Sequence, residues 1–503
     1  MTAKTNLIFS FLNWIIKDNH QYQDLDRVYL QNRLLALIGG ADVTEVVGEA
    51  ADEPIALANA LVDYAISQQQ ITDDQSSRDI LEAQLLDFIT PLPSEVNQHF
   101  WKTYHQDSAQ AATDYFYQLS TRNDYVKTAQ IAKNIKYDVA TDYGDLEITI
   151  NLAKPEKDPK AIAAAAKMAP ATYPACQLCV ENEGYLGRAN YPARSNHRIV
   201  RFDLNGQTWG FQYSPYAYFN EHCIFLDTVH EPMHINRQTF ANLFTILSLF
   251  PHYMAGSNAD LPIVGGSMLS HEHYQGGGHK FAMMKALIDH EFTWAKYPDV
   301  KFGTVKWPMS VIRLTGTDQA ALINAAAEVL QAWRGYSDAS QSIKAYAEDG
   351  TPHHTVTPIA CKNDAGDYQL DLVLRDNQTS AEYPDGIFHP HQDVQHIKRE
   401  NIGLIEVMGL AILPARLLTE LREVEKYLLQ QPNEIAAYHK TWADELATKY
   451  QGQLTATNVE NIVQQEVGHV FARVLEDAGV FKRTEAGQGA FRKFIATMQN
   501  SHN

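Results

Sequence analysis

Cysteine is scarce in this chain, with four in 503 residues. That excludes a disulfide framework and fits a reducing compartment, the cytoplasm. Hydrophobic runs are short as well. No stretch approaches the 18 or more apolar residues of a membrane span. Positive charge is in deficit, with 41 Lys and Arg against 60 Asp and Glu and a net charge of −19 at pH 7. A nucleic-acid backbone is repelled by such a chain on average, which argues against a sequence-reading or coating role. A small phosphorylated ligand is not excluded, because it needs only a local cluster of Arg, Lys and backbone N–H groups. Low-complexity linkers are missing too. What is there is ordinary globular material, 45% hydrophobic, enough at this length for two to four structural units.

The first apolar run, "NLIFSFLNWIIKDNH", continues with helical spacing and lacks a cleavage pattern, so it reads as an amphipathic first helix rather than a signal segment. Helical periodicity then dominates to about residue 140. Beyond it, "LEITINLA" alternates like a strand, and two strand-like runs flank Asn205-Gly206, a hairpin signal. "HCIFLDTVH" is a further strand. "NRQTFANLFTILSLFPHYM" reads as a helix with Asn236 as its cap, and "LPIVGGSMLSHEHYQGG" returns to strand. After residue 310 a strand, a helix and a hairpin follow in similar order, which suggests a degenerate duplication. From about residue 412 the pattern is helical again. The class is α+β.

Five stretches carry chemistry-bearing residues. On a strand, His271, His273 and Gln275 point to one face and Glu272 and Tyr274 to the other. Such a polar row is either functional or held by structural partners. It is not the zinc-protease helix motif, since Gln275 stands where the second His would be. Cys176 and Cys179, spaced C-x-x-C, are half of a tetrahedral zinc site, with His230 and His271 as candidates for the rest. Buried thiols and a redox pair are the other readings. "GRANYPARSNHRIVR" is a basic island in an acidic chain. Its Arg194 and Arg198 could fork onto phosphate and its Asn190 and Asn196 could meet a base or ribose edge. Alternatively it is a solvated loop. Asn258 leads into the His273 strand. Lys398, in a His-rich stretch that includes His389 and His391, is a candidate phosphate contact.

These stretches, together with "QYSPYAYFNEHCIF" and "IGLIEVMGLAILPARL", resemble the UDP-glucose–hexose-1-phosphate uridylyltransferases. These are galactose-1-phosphate uridylyltransferases of the Leloir pathway, here in the form typical of Gram-positive bacteria, within the histidine-triad superfamily. The resemblance spans nearly the whole chain. Where the better-known branch carries H-P-H-x-Q, Glu272 replaces the proline and the H-x-H-x-Q frame is kept. The resemblance implies two histidine-triad-like antiparallel-sheet halves, at 141–310 and 311–425. A helical N-terminal region (1–140) and a helical C-terminal region (426–503) flank them. It implies a ping-pong transfer of UMP from UDP-glucose to galactose 1-phosphate, with His273 as the uridylylated nucleophile and Gln275 steadying the phosphoryl group. It also implies a structural zinc on Cys176, Cys179, His230 and His271, with His222 as the competitor of His230. No organic cofactor is expected, and the partners implied are the sugar phosphates and a second copy of the chain. A histidine-triad nucleotide hydrolase or dinucleoside polyphosphate phosphorylase is the alternative. Gln275 speaks against hydrolysis. A sugar phosphate, with a second pKa near 6, leaves without a proton, and an amide can donate to phosphoryl oxygens but cannot titrate. A backbone carbonyl near Gly266–Ser270 is expected to hold the other nitrogen of His273.

Overall fold

The computed structural model describes residues 4–40, 43–49, 52–153, 172–266 and 268–500. Contacts gather the chain into two interleaved units. One comprises 1–132, 154–217 and 221–230; the other comprises 133–153, 218–220 and 231–503. The units therefore do not follow consecutive boundaries at 140, 310 and 425. Strand pairing makes the difference. The hairpin at Ile135–Thr141 and Gly144–Ile150 is completed by Leu410–Leu413, which pairs with it in parallel, so 133–153 leaves its sequence neighbours.

The first unit opens with the amphipathic helix Leu7–Asp18, capped by Asn6. It buries Leu7, Ile8, Phe11, Leu12 and Ile15 in a core shared with Arg27–Ile38, Pro54–Ser67 and Gln75–Asp87. Apolar residues three and four apart make that stripe. Helices Pro93–Gln106 and Ala109–Arg122 follow, and the first of them packs against strand Val200–Leu204. That strand begins an antiparallel meander with Gln207–Tyr213 and Cys223–Asp227. The turn is at Asn205-Gly206, both with positive φ, as a two-residue hairpin loop requires. Phe100, Phe116, Phe211 and Tyr213 meet ring to ring between helix and sheet.

The second unit holds an antiparallel sheet. Its strand order is Ile288–Phe292, Lys301–Val305, Val311–Gly316, Tyr368–Asp376, His354–Lys362, Met254–Gly256 and His273–Gly277. Helices Arg237–Leu249 and Gln319–Gly335 pack on strand His354–Lys362 and on each other. Within the sheet Arg313 forks onto Asp371 at 2.7 and 2.8 Å, both side chains nearly inaccessible. The C-terminal helices Leu417–Leu428, Ala437–Lys449, Val459–Ala478 and Glu485–Asn500 complete the unit. Gly468 lets the longest of them lie directly on strand Ile135–Thr141. A Cβ there would sit 2.4 Å from that of Val139. The architecture is α+β with antiparallel sheets and helical ends, as the sequence implies. No helix among the described residues is long and apolar enough to cross a membrane.

Candidate active site and metal cluster

His273 opens its strand and is buried. Its Nδ1 lies 2.8 Å from the carbonyl oxygen of His271. A carbonyl only accepts, so Nδ1 carries the proton and the Nε2 lone pair is left for chemistry. The carbonyl expected near Gly266–Ser270 is that of His271, one residue beyond that stretch; Ser267 lies outside the described residues. Burial pushes the His273 imidazole down to about 4, and neighbouring His271 adds to the shift while the carbonyl bond opposes it. The ring is therefore neutral at pH 7, the form in which imidazole can attack. Gln275 follows at the i+2 position on the same strand face. Its backbone is in register with Gly256.

Asn258 is buried, and its Oδ1 accepts from the N–H of Leu404 at 2.9 Å. Gly266 makes room for it, since a Cβ there would stand 2.6 Å from Asn258 Nδ2. Lys398 is also buried. Its Nζ lies 3.0 Å from Glu406 and 3.1 Å from the carbonyl of Ile412, so its charge is already compensated within the unit. His389 and His391 do not join. The first faces Asn401 at 3.4 Å and the second the carbonyl of Ile387 at 3.0 Å.

In the other unit the basic island is sorted by its partners. Arg198 is buried against Asp87 at 2.8 Å and donates to the carbonyls of Pro91, Thr90, Ser195 and His197. Its fork is fully engaged in holding the fold. Asn196 and Asn123 clamp one another through their amides and main-chain carbonyls, at 2.7 and 2.8 Å. Asn190 accepts from Arg188 Nε at 2.9 Å. Arg194 differs. Its guanidinium stacks 5.5 Å above the Tyr125 ring and, among the described residues, pairs with no carboxylate.

The same unit gathers Cys176, Cys179 and His230, with ligand atoms all within 4.8 Å of one another. The two sulfurs are 3.5 Å apart, and Cys179 Sγ is 3.1 Å from His230 Nδ1. His230 rather than His222 thus faces the thiols. The turn that presents them is built for sulfur. The Leu178 N–H points at Cys176 Sγ from 3.3 Å. Buried Asn182 donates to the carbonyls of both cysteines at 2.8 Å, and Tyr191 donates to that of Cys176 and to the Asn182 side chain. Neither Asn182 nor Tyr191 stood out in the sequence, because nothing in their spacing marks a carbonyl-binding role. Burial and the adjacent Cys176 thiol push the Cys179 thiol up to about 12; a cation at the site would reverse that. Two thiols and an imidazole at these separations are a candidate metal cluster, and the donors suit a soft tetrahedral ion.

Comparison with known proteins decides the family. Residues 20–232 match the N-terminal domain model of galactose-1-phosphate uridyl transferase, and 246–444 match its C-terminal domain model. The chain belongs to the galactose-1-phosphate uridylyltransferase family. Galactose-1-phosphate uridylyltransferase of Ligilactobacillus salivarius is 60% identical over 489 residues, covering 97% of this chain and 98% of that protein. Galactose-1-phosphate uridylyltransferase 2 of Streptococcus pneumoniae serotype 4 is 57% identical over the same shares of each chain. Among solved structures, yeast Ap4A phosphorylase Apa2 covers 72% of this chain and 94% of its own at 11% identity and a TM-score of 0.35, a similarity too slight to argue from.

Proposed function

We infer that UMP passes through Nε2 of His273 as the chain converts UDP-glucose and galactose 1-phosphate into glucose 1-phosphate and UDP-galactose, the reaction of its family. The observation that carries this reading is the 2.8 Å bond from His273 Nδ1 to the His271 carbonyl. It fixes the tautomer with Nε2 free, and burial keeps the ring neutral. In the first half-reaction Nε2 attacks the α-phosphorus. A P–N bond forms, the bond to the bridging oxygen breaks, and the electron pair leaves with glucose 1-phosphate. In the second, a phosphate oxygen of galactose 1-phosphate displaces the imidazole, which recovers its lone pair. The amide of Gln275 donates to the non-bridging oxygens, where charge builds without a proton to manage.

Arg194, which pairs with no carboxylate among the described residues, is an arginine of the basic island suited to a substrate phosphate. Asn190, Asn196, Arg198, Asn258 and Lys398 shape the surroundings from contacts within their own units. Zinc is the ion that fits Cys176, Cys179 and His230. When bound it supplies structural cross-linking. A homodimer and a cytoplasmic setting belong to the same reading.

The test is intact-protein mass after brief incubation with UDP-glucose. Wild type should gain one UMP and lose it on addition of galactose 1-phosphate, whereas His273→Gln should gain nothing. Turnover without any adduct in wild type would overturn the covalent route.

A further inference from the structure

The face of the strand turned away from His273 holds a polar network that the reaction does not use. Glu272 stands where the better-known branch has proline. Its Oε1 accepts from the Tyr274 hydroxyl at 2.8 Å, and its Oε2 accepts from the backbone N–H of His234 at 3.0 Å. Its own N–H donates to the carbonyl of Glu231 at 2.7 Å. The Tyr274 oxygen in turn accepts from Asn242 Nδ2 at 3.0 Å, and Gln238 holds the Asn242 carbonyl at 2.8 Å. Tyr274 is almost wholly buried. Asn242 and Gln238 sit on helix Arg237–Leu249, whose start is fixed by the reciprocal Asn236–Thr239 capping box.

The register with Met254–Gly256 runs Met254↔Gly277, Ala255↔Gly276, Gly256↔Gln275 and does not extend to His273. The carbonyl that orients the nucleophile belongs to His271, two residues farther out. Within this unit, the peptide from His271 to His273 is held from behind, through the Glu272 side chain and its N–H, to the segment 231–234 and the capped helix.

We infer that Glu272 and Tyr274 are positioning residues for His273. They fix the backbone between His271 and His273 so that the His271 carbonyl keeps the Nδ1–H bond and Nε2 keeps its aim. A proline would restrict that backbone through its ring; here a carboxylate bonded to two donors restrains it instead. This inference rests on the reading of His273 as the nucleophile.

Three variants test it: Glu272→Ala, Tyr274→Phe and Glu272→Gln. With UDP-glucose saturating, the first two should form the uridylyl-enzyme about tenfold to a hundredfold more slowly, in the range typical of outer contacts that orient a reacting ligand. Their KM for UDP-glucose should stay within about twofold, since neither residue meets substrate. Glu272→Gln should recover part of the rate, because its amide keeps one acceptor oxygen where Glu272 offers two, and so can still hold one of the two donors. In nitrogen-15 histidine spectra, His273 should hold a single Nδ1–H tautomer in wild type and in Glu272→Gln, and should mix tautomers in Glu272→Ala. Tyr274→Phe removes one hydroxyl and keeps the test available should Glu272→Ala fold poorly. Wild-type rates and an unmixed tautomer in Tyr274→Phe and Glu272→Ala would overturn the inference. If wild type itself forms no adduct, the nucleophile reading fails, while the tautomer still reports whether Glu272 orients the ring.

Discussion

His273 shows how one backbone atom sets a side chain's chemistry. Its carbonyl partner fixes where the proton sits, and burial lowers its basicity to about 4. The first half-reaction should therefore not fall off through pH 6.5 on account of this ring. Rapid-quench measurement of adduct formation should stay level from pH 7.5 to about 5.5, and an acid limb centred near 6.5 would contradict the assignment. Gln275→Ala should slow the same step about a hundredfold or more, the cost of removing one preorganised donor to a developing anion, with adduct still formed. Arg194→Ala should raise KM for UDP-glucose with kcat less affected. Arg198→Ala should instead lower the melting temperature, because it strands Asp87 and four carbonyls. Sequence alone could not separate these two arginines. Four residues apart in one basic stretch, they look alike until Asp87, more than a hundred positions away, is seen to pair with one of them.

At the level of elements, period-two alternation applies to His273, Tyr274 and Gln275, which lie in strand His273–Gly277, whereas His271 and Glu272 precede it. What it could not show is what the Tyr274 face packs against. Helix Arg237–Leu249 was legible from its apolar spacing and from Asn236 ahead of it. The capping box is present, with the Asn236 side chain accepting from the N–H groups of Gln238 and Thr239. Asn236→Ala should cost about 1 kcal/mol in denaturant unfolding, and through Asn242 it should also loosen Tyr274. The cysteine turn was legible from C-x-x-C, whereas Asn182 and Tyr191 were not, since their task is to bind carbonyls of a turn whose shape the sequence does not state. The carbonyl expected near Gly266–Ser270 is that of His271, one residue beyond that stretch. The ring bonds back to the bend that leads into strand His273–Gly277.

At the level of the whole molecule, several buried imidazoles tie stability to pH. His273 and His396 are each pushed down to about 4. Burial is the main cause in both, and the His439 ring 2.9 Å away adds to it for His396. The unfolded chain, with ordinary imidazoles near 6.5, takes up those protons first. The stability they contribute is complete above 6.5 and erodes as pH falls toward 4. Asp124 acts oppositely. Burial raises it to about 6 despite Lys127, so its contribution is full below 3.8 and lost as pH rises through 6. If the buried imidazoles prevail, the melting temperature should fall between pH 6.5 and 4.5, and a rise there would show that carboxylates dominate. The α+β class was legible in the sequence because strands and helices carry distinct periods. The interleaving was not, because it depends on pairing Glu147 with Leu410, and nothing local in either segment names its partner.

That pairing has a cost in time. Glu147 and Leu410 are 263 positions apart. At roughly 5–20 residues per second of synthesis, strand Gly144–Ile150 waits about 13–50 s for its parallel neighbour. Through that interval its open edge, with Leu146, Ile148 and Ile150 beside it, is a template for strands of other nascent chains. Ribosome-stalled chains ending before Leu410 should be the population that holdase chaperones bind and that aggregates when they are withdrawn. Chains released a few tens of residues later should escape both fates.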